Sequence, residues 1–362
     1  MLAALRPSTV DVCCCARQYP ALANDSAKNS TSHFDGKLFA GGQWFMNITV
    51  GKKAIAEASE KLKNWGRWGK DDQIGTLNYI QPEDIVKAAA LIRTGKVFGL
   101  GIPLDRKGPQ TGLFGGRWNP IHTMLATGTD AVAGRQDVVP NIRYADDAIN
   151  MPVQCATHWD SLGHIFYEET MYNGYDARLV DCNGLGKLGI EHSRSRMVGR
   201  GVLLDIARFK NLDYLPDGYG IANAELDACA RAQNVAVGRG DFVIIRTGQL
   251  EKCLREGWGT FAGGDAPGVK FENCYWCHDK EIAAICSDTW GVEVRPNETA
   301  EANQPWHWVV IPAMGLTMGE MFYLKELAED CADDGAYEFF FCGPPLVITG
   351  ATGSPINPQA IK

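Results

Sequence analysis

One short segment of the chain holds most of its candidate reactive side chains. Between Gln154 and His164 the sequence places an amide, two imidazoles and the carboxylate of Asp160, with no other charged residue. On an extended strand alternate side chains share a face, so Gln154, His158 and Asp160 would converge on one small object. Imidazole and carboxylate bind divalent zinc or manganese, and both can act as general acid or base near neutral pH. A reactive centre is expected. The alternative is a buried polar cluster in which these groups only hydrogen-bond to one another.

A further histidine and a glutamate lie later in the chain, at His307 and Glu320. His307 stands between two tryptophans, as a packed core residue would. Thr317 and Glu320 fit the capping box that opens a helix, and the pattern predicts that helix over residues 317–330. Spacing alone therefore favours structural roles for both residues.

Other motifs carry weaker signals. Cys274, Cys277 and His278 fit the pattern for covalent haem attachment, and the cysteine pair could begin a zinc site. A zinc site needs a second ligand pair at suitable spacing, which the sequence lacks. The glycines of residues 184–189 match a dinucleotide-binding spacing without the flanking strand and helix. No G-x-S-x-G motif occurs, so a serine-hydrolase elbow is not expected.

Composition and charge narrow the class of partner. The chain has 362 residues, of which 45% are hydrophobic and 22% charged, the profile of a soluble globular protein. Its formal net charge is -8. The composition therefore does not indicate a basic surface that would bind nucleic acid or an anionic membrane. A small-molecule substrate is the expected partner. The short apolar run at the amino terminus does not fit a secretory signal, so reduced cysteines and a cytoplasmic location are expected.

The elements that position these residues alternate between helix and strand. The pattern predicts one mixed α/β domain over residues 61–362, preceded by an irregular extension over residues 1–60. Residues 107–150 are expected to be long loops, and residues 350–358 a loop near the end of the chain. Helices are predicted over residues 83–94, 222–234 and 317–330, and strands over residues 96–104, 199–207, 242–247, 281–286, 337–341 and 346–349.

The segment Thr157–His164 resembles the H-x-G-T-H-x-D-x-x-x-H signature of the cyclase superfamily, which includes bacterial kynurenine formamidases (arylformamidases) and isatin hydrolases. The resemblance extends over most of the chain, from about Asn64 to Pro358. Further matches follow in order: residues 71–78, residues 200–205, residues 240–248, residues 288–289, His307 with Glu320, and residues 353–355. Several ordered matches are far more specific than any one of them.

This resemblance implies a swivelling β/α/β fold, a homodimer or higher homo-oligomer, and metal-assisted hydrolysis of amides or esters. Carried over by position, His158 and Asp160 match metal ligands, and His164 matches a ligand or catalytic base. His307 and Glu320 match the distal pair that completes the site in formamidase-like members. The implied cofactor is a divalent metal, zinc or manganese.

The chain departs from the signature at its first position, where Gln154 replaces histidine, and at Ala156, which replaces glycine. An amide oxygen is a poorer zinc ligand than imidazole, so Gln154 is only a further candidate ligand and the metal could be absent. Gln154, Trp159 and Tyr172 are expected to contact the substrate.

Three functional hypotheses remain open at this point. The first is a hydrolase of an amide, lactam or lactone bond, with a metal-activated water and His164 as general base. The second is a metal-free cyclase or lyase acting on a polyketide-like secondary metabolite, with acid and base chemistry from His158, Asp160 and His164. The third is a small-molecule binder without catalysis.

Overall fold

The computed structural model describes residues 48–138, 140 and 142–362 of the chain. Its strands, in chain order, are β1 (Val97–Gly99), β2 (Ile121–Ala126), β3 (Asp146–Asn150), β4 (His158–Asp160), β5 (Val180–Asp181), β6 (Gly184–Leu185), β7 (Val198–Asp205), β8 (Gly220–Ile221), β9 (Phe242–Arg246), β10 (Gly268–Val269), β11 (Ala284–Ser287), β12 (Thr317–Glu320), β13 (Glu338–Cys342), β14 (Gly353–Pro355) and β15 (Gln359–Ile361).

The helices lie between these strands, and several of them are single turns. They are α1 (Lys52–Lys61), α2 (Pro82–Ala89), α3 (Gly128–Val132), α4 (Ile206–Phe209), α5 (Asn223–Ala232), α6 (Gln249–Glu256), α7 (Asn273–Lys280), α8 (His307–Val309) and α9 (Lys325–Asp334). Short 3-10 helices cover Gly75–Tyr79, Tyr172–Gly174, Ala177–Leu179 and Ile190–Ser193, and a π-helix continues α8 over Val310–Met314.

A nine-stranded sheet organises the fold, with the strand order β1-β15-β13-β7-β9-β11-β12-β4-β14. Its middle strands β7, β9, β11 and β12 are parallel, whereas β13 joins β7 and β4 joins β12 in antiparallel fashion. Parallel strands are covered on both faces and read as continuous apolar runs. The runs predicted as buried strands at residues 199–207 and 242–247 are β7 and β9, and the α/β prediction is confirmed.

Helices cover the sheet on both faces, and successive residues of a strand point to opposite sides. On β7, Val202 and Leu204 join a core with the apolar faces of α1, α5, α7 and α8. Leu203, between them, joins the opposite core with α9. The helix predicted over residues 222–234 is confirmed as α5, and the one predicted over residues 83–94 forms as the shorter α2.

The helix predicted over residues 317–330 is wrong in its first part. Thr317–Glu320 is the strand β12, which pairs with β11 on one edge and β4 on the other, and the helix begins only at Lys325. The local capping-box pattern is a weak preference, and pairing on both edges of a buried strand overrides it. Glu320 therefore lies on the sheet and not at a helix start.

Two other predictions for connecting segments are also corrected. Residues 346–349 form no strand, and the sheet is completed instead by β14 and β15, which fall partly in the predicted loop of residues 350–358. The segment 107–150 contains the hairpin of β2 and β3, whose strand residues are nearly all exposed. A hairpin outside the core lacks the one-sided apolar alternation that reveals a strand in sequence.

The amino-terminal prediction falls mostly outside the described residues, which begin at Ile48. Within residues 48–60, where an irregular extension was predicted, the chain forms most of α1, and Ile55 and Ala58 are fully buried in the core. Cys274 and Cys277, the pair considered for a haem or zinc site, lie on α7. Burial raises the pKa of both thiols, which pack as core residues.

Every cysteine that the structure describes is a free thiol. None of the helices in the described part of the chain is long and apolar enough to cross a membrane.

Candidate active site

The three residues of β4 divide between the two faces of the sheet. Trp159 is fully buried, its Nε1 donates to the carbonyl of Gly343, and its ring packs against Phe322 and Phe341. His158 and Asp160 point the opposite way, as alternation on a strand requires. The predicted substrate contact of Trp159 is therefore wrong, because its side chain lies in the core on the other face.

Glu320 meets this pair from the neighbouring strand. In the β4–β12 ladder His158 stands directly opposite Glu320, and its Nε2 lies 3.3 Å from Glu320 Oε2 and 3.4 Å from Asp160 Oδ1. Directly paired residues of an antiparallel ladder place their side chains on the same face. Strand register thus brings together three groups that are far apart in sequence.

His307 and a second glutamate extend the group on its other side. His307 Nε2 lies 3.6 Å from Glu320 Oε1, while its Nδ1 contacts Glu293 Oε1. Glu293 is 4% exposed and also accepts hydrogen bonds from the backbone N–H groups of Trp306 and His307. These contacts fix the imidazole of His307 at the start of α8.

His164 completes the group at its accessible end. Its Nε2 lies 3.8 Å from Asp160 Oδ1, and its side chain is 21% exposed, whereas His158 is fully buried. Carboxylates and imidazoles therefore alternate through the whole cluster. We call this set the acid–imidazole chain; its members in spatial order are Glu293, His307, Glu320, His158, Asp160 and His164.

At the centre of the acid–imidazole chain, two buried atoms have no hydrogen-bond partner. They are His158 Nε2 and Asp160 Oδ1. Buried polar atoms are nearly always paired, so two unpaired atoms side by side fit a site that binds a ligand. Potential ligand atoms of His158, Asp160 and Glu320 all lie within 4.8 Å of one another. One imidazole and two carboxylates fit zinc or manganese. His164 and His307 lie beside this three-residue group.

The orientation of His158 supports the same interpretation. Its Nδ1 is 2.7 Å from the carbonyl oxygen of Ala156. A carbonyl can only accept a hydrogen bond, so Nδ1 carries a proton, and in the neutral ring the lone pair of Nε2 faces Asp160 and Glu320. Metal-ligating histidines are commonly held by such a bond from the other ring nitrogen.

Burial and ion pairing oppose each other in the pKa values of the cluster. Burial lowers the pKa of His158, but Asp160 and Glu320 outweigh it and raise the value to about 9. Burial likewise lowers the pKa of His307, and Glu293 and Glu320 raise it to about 10. Burial raises the pKa of Asp160 and Glu320, yet the neighbouring histidines bring both below their ordinary values. Charged imidazoles therefore lie beside charged carboxylates at the centre of the acid–imidazole chain, at 3.3 and 3.4 Å, without meeting hydrogen-bond geometry.

His164 behaves differently from the other two histidines. Burial lowers its pKa, and the charge of Asp160 offsets this effect only in part, so the pKa lies below the ordinary value. A histidine with a lowered pKa is neutral at pH 7 and can accept a proton. His164 is thus the member of the cluster with both solvent access and the protonation state of a general base.

The side chain of Gln154 is hydrogen-bonded to a residue outside the three-residue group. Gln154 lies in a turn before β4, and its Nε2 donates to Thr352 Oγ1 at 3.0 Å. The expected convergence of Gln154, His158 and Asp160 along one strand is wrong, because the strand begins only at His158. The amide nitrogen is engaged, which leaves the carbonyl oxygen as the group that Gln154 could offer to a ligand.

Tyr172 also has a structural role. Its ring is fully buried against Gly315, and its hydroxyl donates to Asp72 Oδ2 at 2.9 Å. Burial is also the main cause that raises the pKa of this hydroxyl far above its ordinary value. The predicted substrate contact of Tyr172 is wrong, because both its ring and its hydroxyl are occupied within the protein.

Glu293 was missed by reasoning from the sequence. It stands between two valines in the segment Gly291–Val294, all of which is buried. A lone carboxylate in such an apolar run is expensive to bury without a partner, and this was the available signal. The signal gave no indication that the partner would be His307.

The fold and the cluster together define a mixed α/β protein with a buried imidazole–carboxylate centre. The chain belongs to the cyclase family, whose model, described as "Putative cyclase", matches residues 74–294. A solved structure of a novel cyclase is 42% identical, matches 83% of this chain and 100% of its own, and superposes with a TM-score of 0.77. A search of curated proteins found no match.

More distant structures share the fold. Isatin hydrolase A from Labrenzia aggregata, solved with benzyl benzoate, is 17% identical with a TM-score of 0.55, over 77% of this chain and 97% of its own. An isatin hydrolase bound to the product analogue thioisatinate is 16% identical with a TM-score of 0.53, over 78% of this chain and 98% of its own. The expected cyclase-like fold is confirmed by these comparisons.

Proposed function

We propose that the protein is a hydrolase that opens an amide, lactam or lactone bond in a small aromatic or conjugated molecule. The observation that supports it is the unpaired couple His158 Nε2 and Asp160 Oδ1 beside Glu320. Such a donor set suits a divalent metal of the zinc or manganese type. The likeness in fold to isatin hydrolases agrees with this class of bond.

His158, Asp160 and Glu320 would hold the metal. When bound there, the metal would polarise the scissile carbonyl and lower the pKa of an attached water. The protein contributes the geometry, because two of the three ligands are on β4 and the third is on the strand paired with it. His307 Nε2 lies 3.6 Å from Glu320 Oε1 on the other side of that carboxylate.

His164 would act as the general base. Its neutral ring accepts a proton from the attacking water, and Asp160 Oδ1, 3.8 Å away, stabilises the imidazolium that forms. His164 then returns the proton to the leaving nitrogen or oxygen as the bond to the acyl carbon breaks. The products are a carboxylate and an amine or alcohol, joined in one molecule when the substrate is cyclic.

Metal content and turnover test this proposal together. Protein purified without added metal would be analysed for zinc and manganese, then assayed on a panel of aryl formamides, lactams and lactones before and after chelation. We expect about one metal per chain and turnover that chelator abolishes and added metal restores. His164→Ala should retain the metal and lose turnover. Metal-free protein with unchanged turnover would contradict the metal-dependent mechanism.

A second candidate is a metal-free cyclase or lyase, and the acid–imidazole chain supports it. Alternating acids and imidazoles can pass protons without a metal ion. In addition, Gln154 stands where the family signature has its first histidine, so one imidazole ligand is lost. In this case His164 would be the base that faces the substrate, and His158 with Asp160 would set the protonation state of His164. Chelator-resistant turnover that His164→Ala abolishes would favour this second function.

A further inference from the structure

An arginine that the sequence motifs do not include lies beside the candidate active site. The guanidinium of Arg117 stands 4.6 Å from the ring centroid of Phe114 and pairs with no acidic side chain among the residues that the structure describes. Its charge nevertheless reaches the segment that leads into β4, because burial raises the pKa of the Cys155 thiol and the charge of Arg117 lowers it.

The loop that carries Arg117 is fastened to the site at its base. Gln110 is 7% exposed, and its Nε2 donates to the carbonyl of Cys155, within the segment that leads into β4. Asn119 closes the loop, since its side chain accepts from the backbone N–H of Gln110 and donates to the carbonyl of the same residue. The two ends of residues 110–119 are thus locked to each other and to the site.

An aromatic surface lies next to the charge. Phe114 packs at 5.7 Å, between ring centroids, against Trp290, which belongs to the same apolar cluster as Cys155 and Ala156. The Nε1 of Trp290 donates to the carbonyl of Gly264, which fixes the indole. An aromatic surface, and a cation with no acidic partner among the described residues, therefore lie beside the segment that leads into β4.

We propose that Arg117, supported by Phe114, is a specificity residue that binds a carboxylate group of an aromatic or conjugated substrate. The proposal rests on the proposed function and names the substrate class of that same site. A guanidinium matches a carboxylate with two parallel hydrogen bonds and remains charged at any relevant pH. Stacking on Phe114 holds the guanidinium plane, so less side-chain freedom is lost on binding.

The charge of the site makes such a residue useful. Asp160, Glu320 and Glu293 bring three negative charges to the site, and Arg117 adds a positive charge that none of the described acidic side chains pairs with. Hydrolysis also adds a hydroxyl to the acyl carbon and yields a new carboxylate once its proton is lost. Arg117 is therefore placed to favour acids over neutral compounds of the same shape.

Binding of benzoate and its neutral isostere benzamide tests the proposal without requiring turnover. Both would be titrated calorimetrically into the full-length, metal-loaded protein, and into the variants Arg117→Gln, Arg117→Lys and Arg93→Gln. Arg93 is an exposed arginine just after α2 and serves as the matched control. We expect benzoate to bind at least tenfold more tightly than benzamide. Arg117→Gln should remove this preference, Arg117→Lys should restore part of it, and Arg93→Gln should not alter it.

The outcomes separate the two proposals. Benzoate preference that survives in Arg117→Gln would mean that the anion binds the metal alone, and it would overturn the role of Arg117. If Arg117→Gln weakened the binding of benzoate and of benzamide equally, Arg117 would only maintain the structure of the loop, and its proposed role in binding a carboxylate would be overturned as well. In both of these outcomes, turnover that chelator abolishes would still support the proposed hydrolase function. Benzoate binding that depends on Arg117, in a protein without turnover, would contradict the hydrolase function and leave the role of Arg117 standing. Thermal unfolding of each variant checks that the fold is retained.

Discussion

His158 and Glu320 face each other across the β4–β12 ladder, with Nε2 of the histidine 3.3 Å from Oε2 of the glutamate. The contact joins a residue of the sequence motif to one 162 positions further along the chain. Backbone pairing fixes it, so no loop has to fold correctly for these two side chains to meet. The strand register is consequently the feature on which the candidate metal site depends.

Glu320→Gln should remove metal binding while preserving shape. The amide has the same size as the carboxylate but carries no charge, and it would place a hydrogen-bond donor near His158 or His307. We expect metal affinity and turnover to fall by at least a hundredfold, with little change in the circular dichroism spectrum. Elemental analysis after dialysis checks the first effect, and retention of a full equivalent of metal would argue against Glu320 as a ligand.

Glu293→Gln tests whether orientation of His307 matters to the site. Groups that orient the ligands of a metal site typically change metal affinity or activity ten- to a hundredfold when replaced, and we expect a loss of about that size. Glu272→Gln is the matched control, since Glu272 is a half-buried carboxylate that accepts the backbone N–H of Asn223 at 2.8 Å and contacts none of the described histidines. Equal effects of both substitutions would reduce Glu293 to a structural residue.

Gln154→His restores the residue type found at the first position of the family signature. Imidazole is a better zinc ligand than an amide oxygen, so zinc affinity should rise by about tenfold or more. Competition with a chromogenic chelator measures this change. Gln154→Ala removes both the carbonyl and the bond to Thr352 and provides the comparison. Identical affinities for the histidine and alanine variants would show that position 154 does not reach the metal.

The stability gained from metal should grow with pH. In the metal-free protein, contacts with acids raise the pKa of His158 from 6.5 to about 9 despite burial. A raised pKa stabilises the folded metal-free form at low pH, and this contribution is lost as pH rises through the folded value. Metal must displace that proton, so its affinity falls below about pH 9. The Tm difference between manganese-loaded and chelated protein should therefore widen from pH 6.5 to 9; a constant difference would contradict proton displacement from His158.

Gly319→Ala should weaken the sheet beneath the site. An added Cβ would lie 2.6 Å from the ring of Trp159 and 2.7 Å from that of Phe322, which is too close for either to remain in place. Overpacking of this kind costs roughly 1–3 kcal/mol in the free energy of unfolding. Gly115→Ala is the control, because no atom of the described residues lies within 4 Å of its added Cβ. Denaturant unfolding compares the two, and equal midpoints would contradict the packing argument.

The sequence predicted the parts of the fold that depend on local pattern. The continuous apolar runs of β7 and β9 and the amphipathic period of α5 were visible without tertiary information. The capping-box pattern at Thr317 was misleading, because edge pairing with β4 decides the conformation of Thr317–Glu320. Short strands such as β14 and β15 have almost no pattern of their own and form through their partners.

The candidate site was predictable in its residue types and not in its geometry. The proximity of His158, Asp160 and His164 is largely a property of neighbouring positions in sequence. Glu293 contributes through a contact with His307, and Arg117 contributes through a loop fastened at Gln110. Neither relationship leaves a periodic trace, since each depends on how distant segments pack.

Strand β4 pairs with β12 on one side and with β14 on the other. The side chain of its middle residue, Trp159, is fully buried in the core. Its amide protons can exchange with solvent only when one of these neighbours separates, and β14 is the short edge strand of the sheet. Hydrogen exchange at His158 and Asp160 would therefore report on opening of β14, whereas the side chain of His164 is accessible without any such opening.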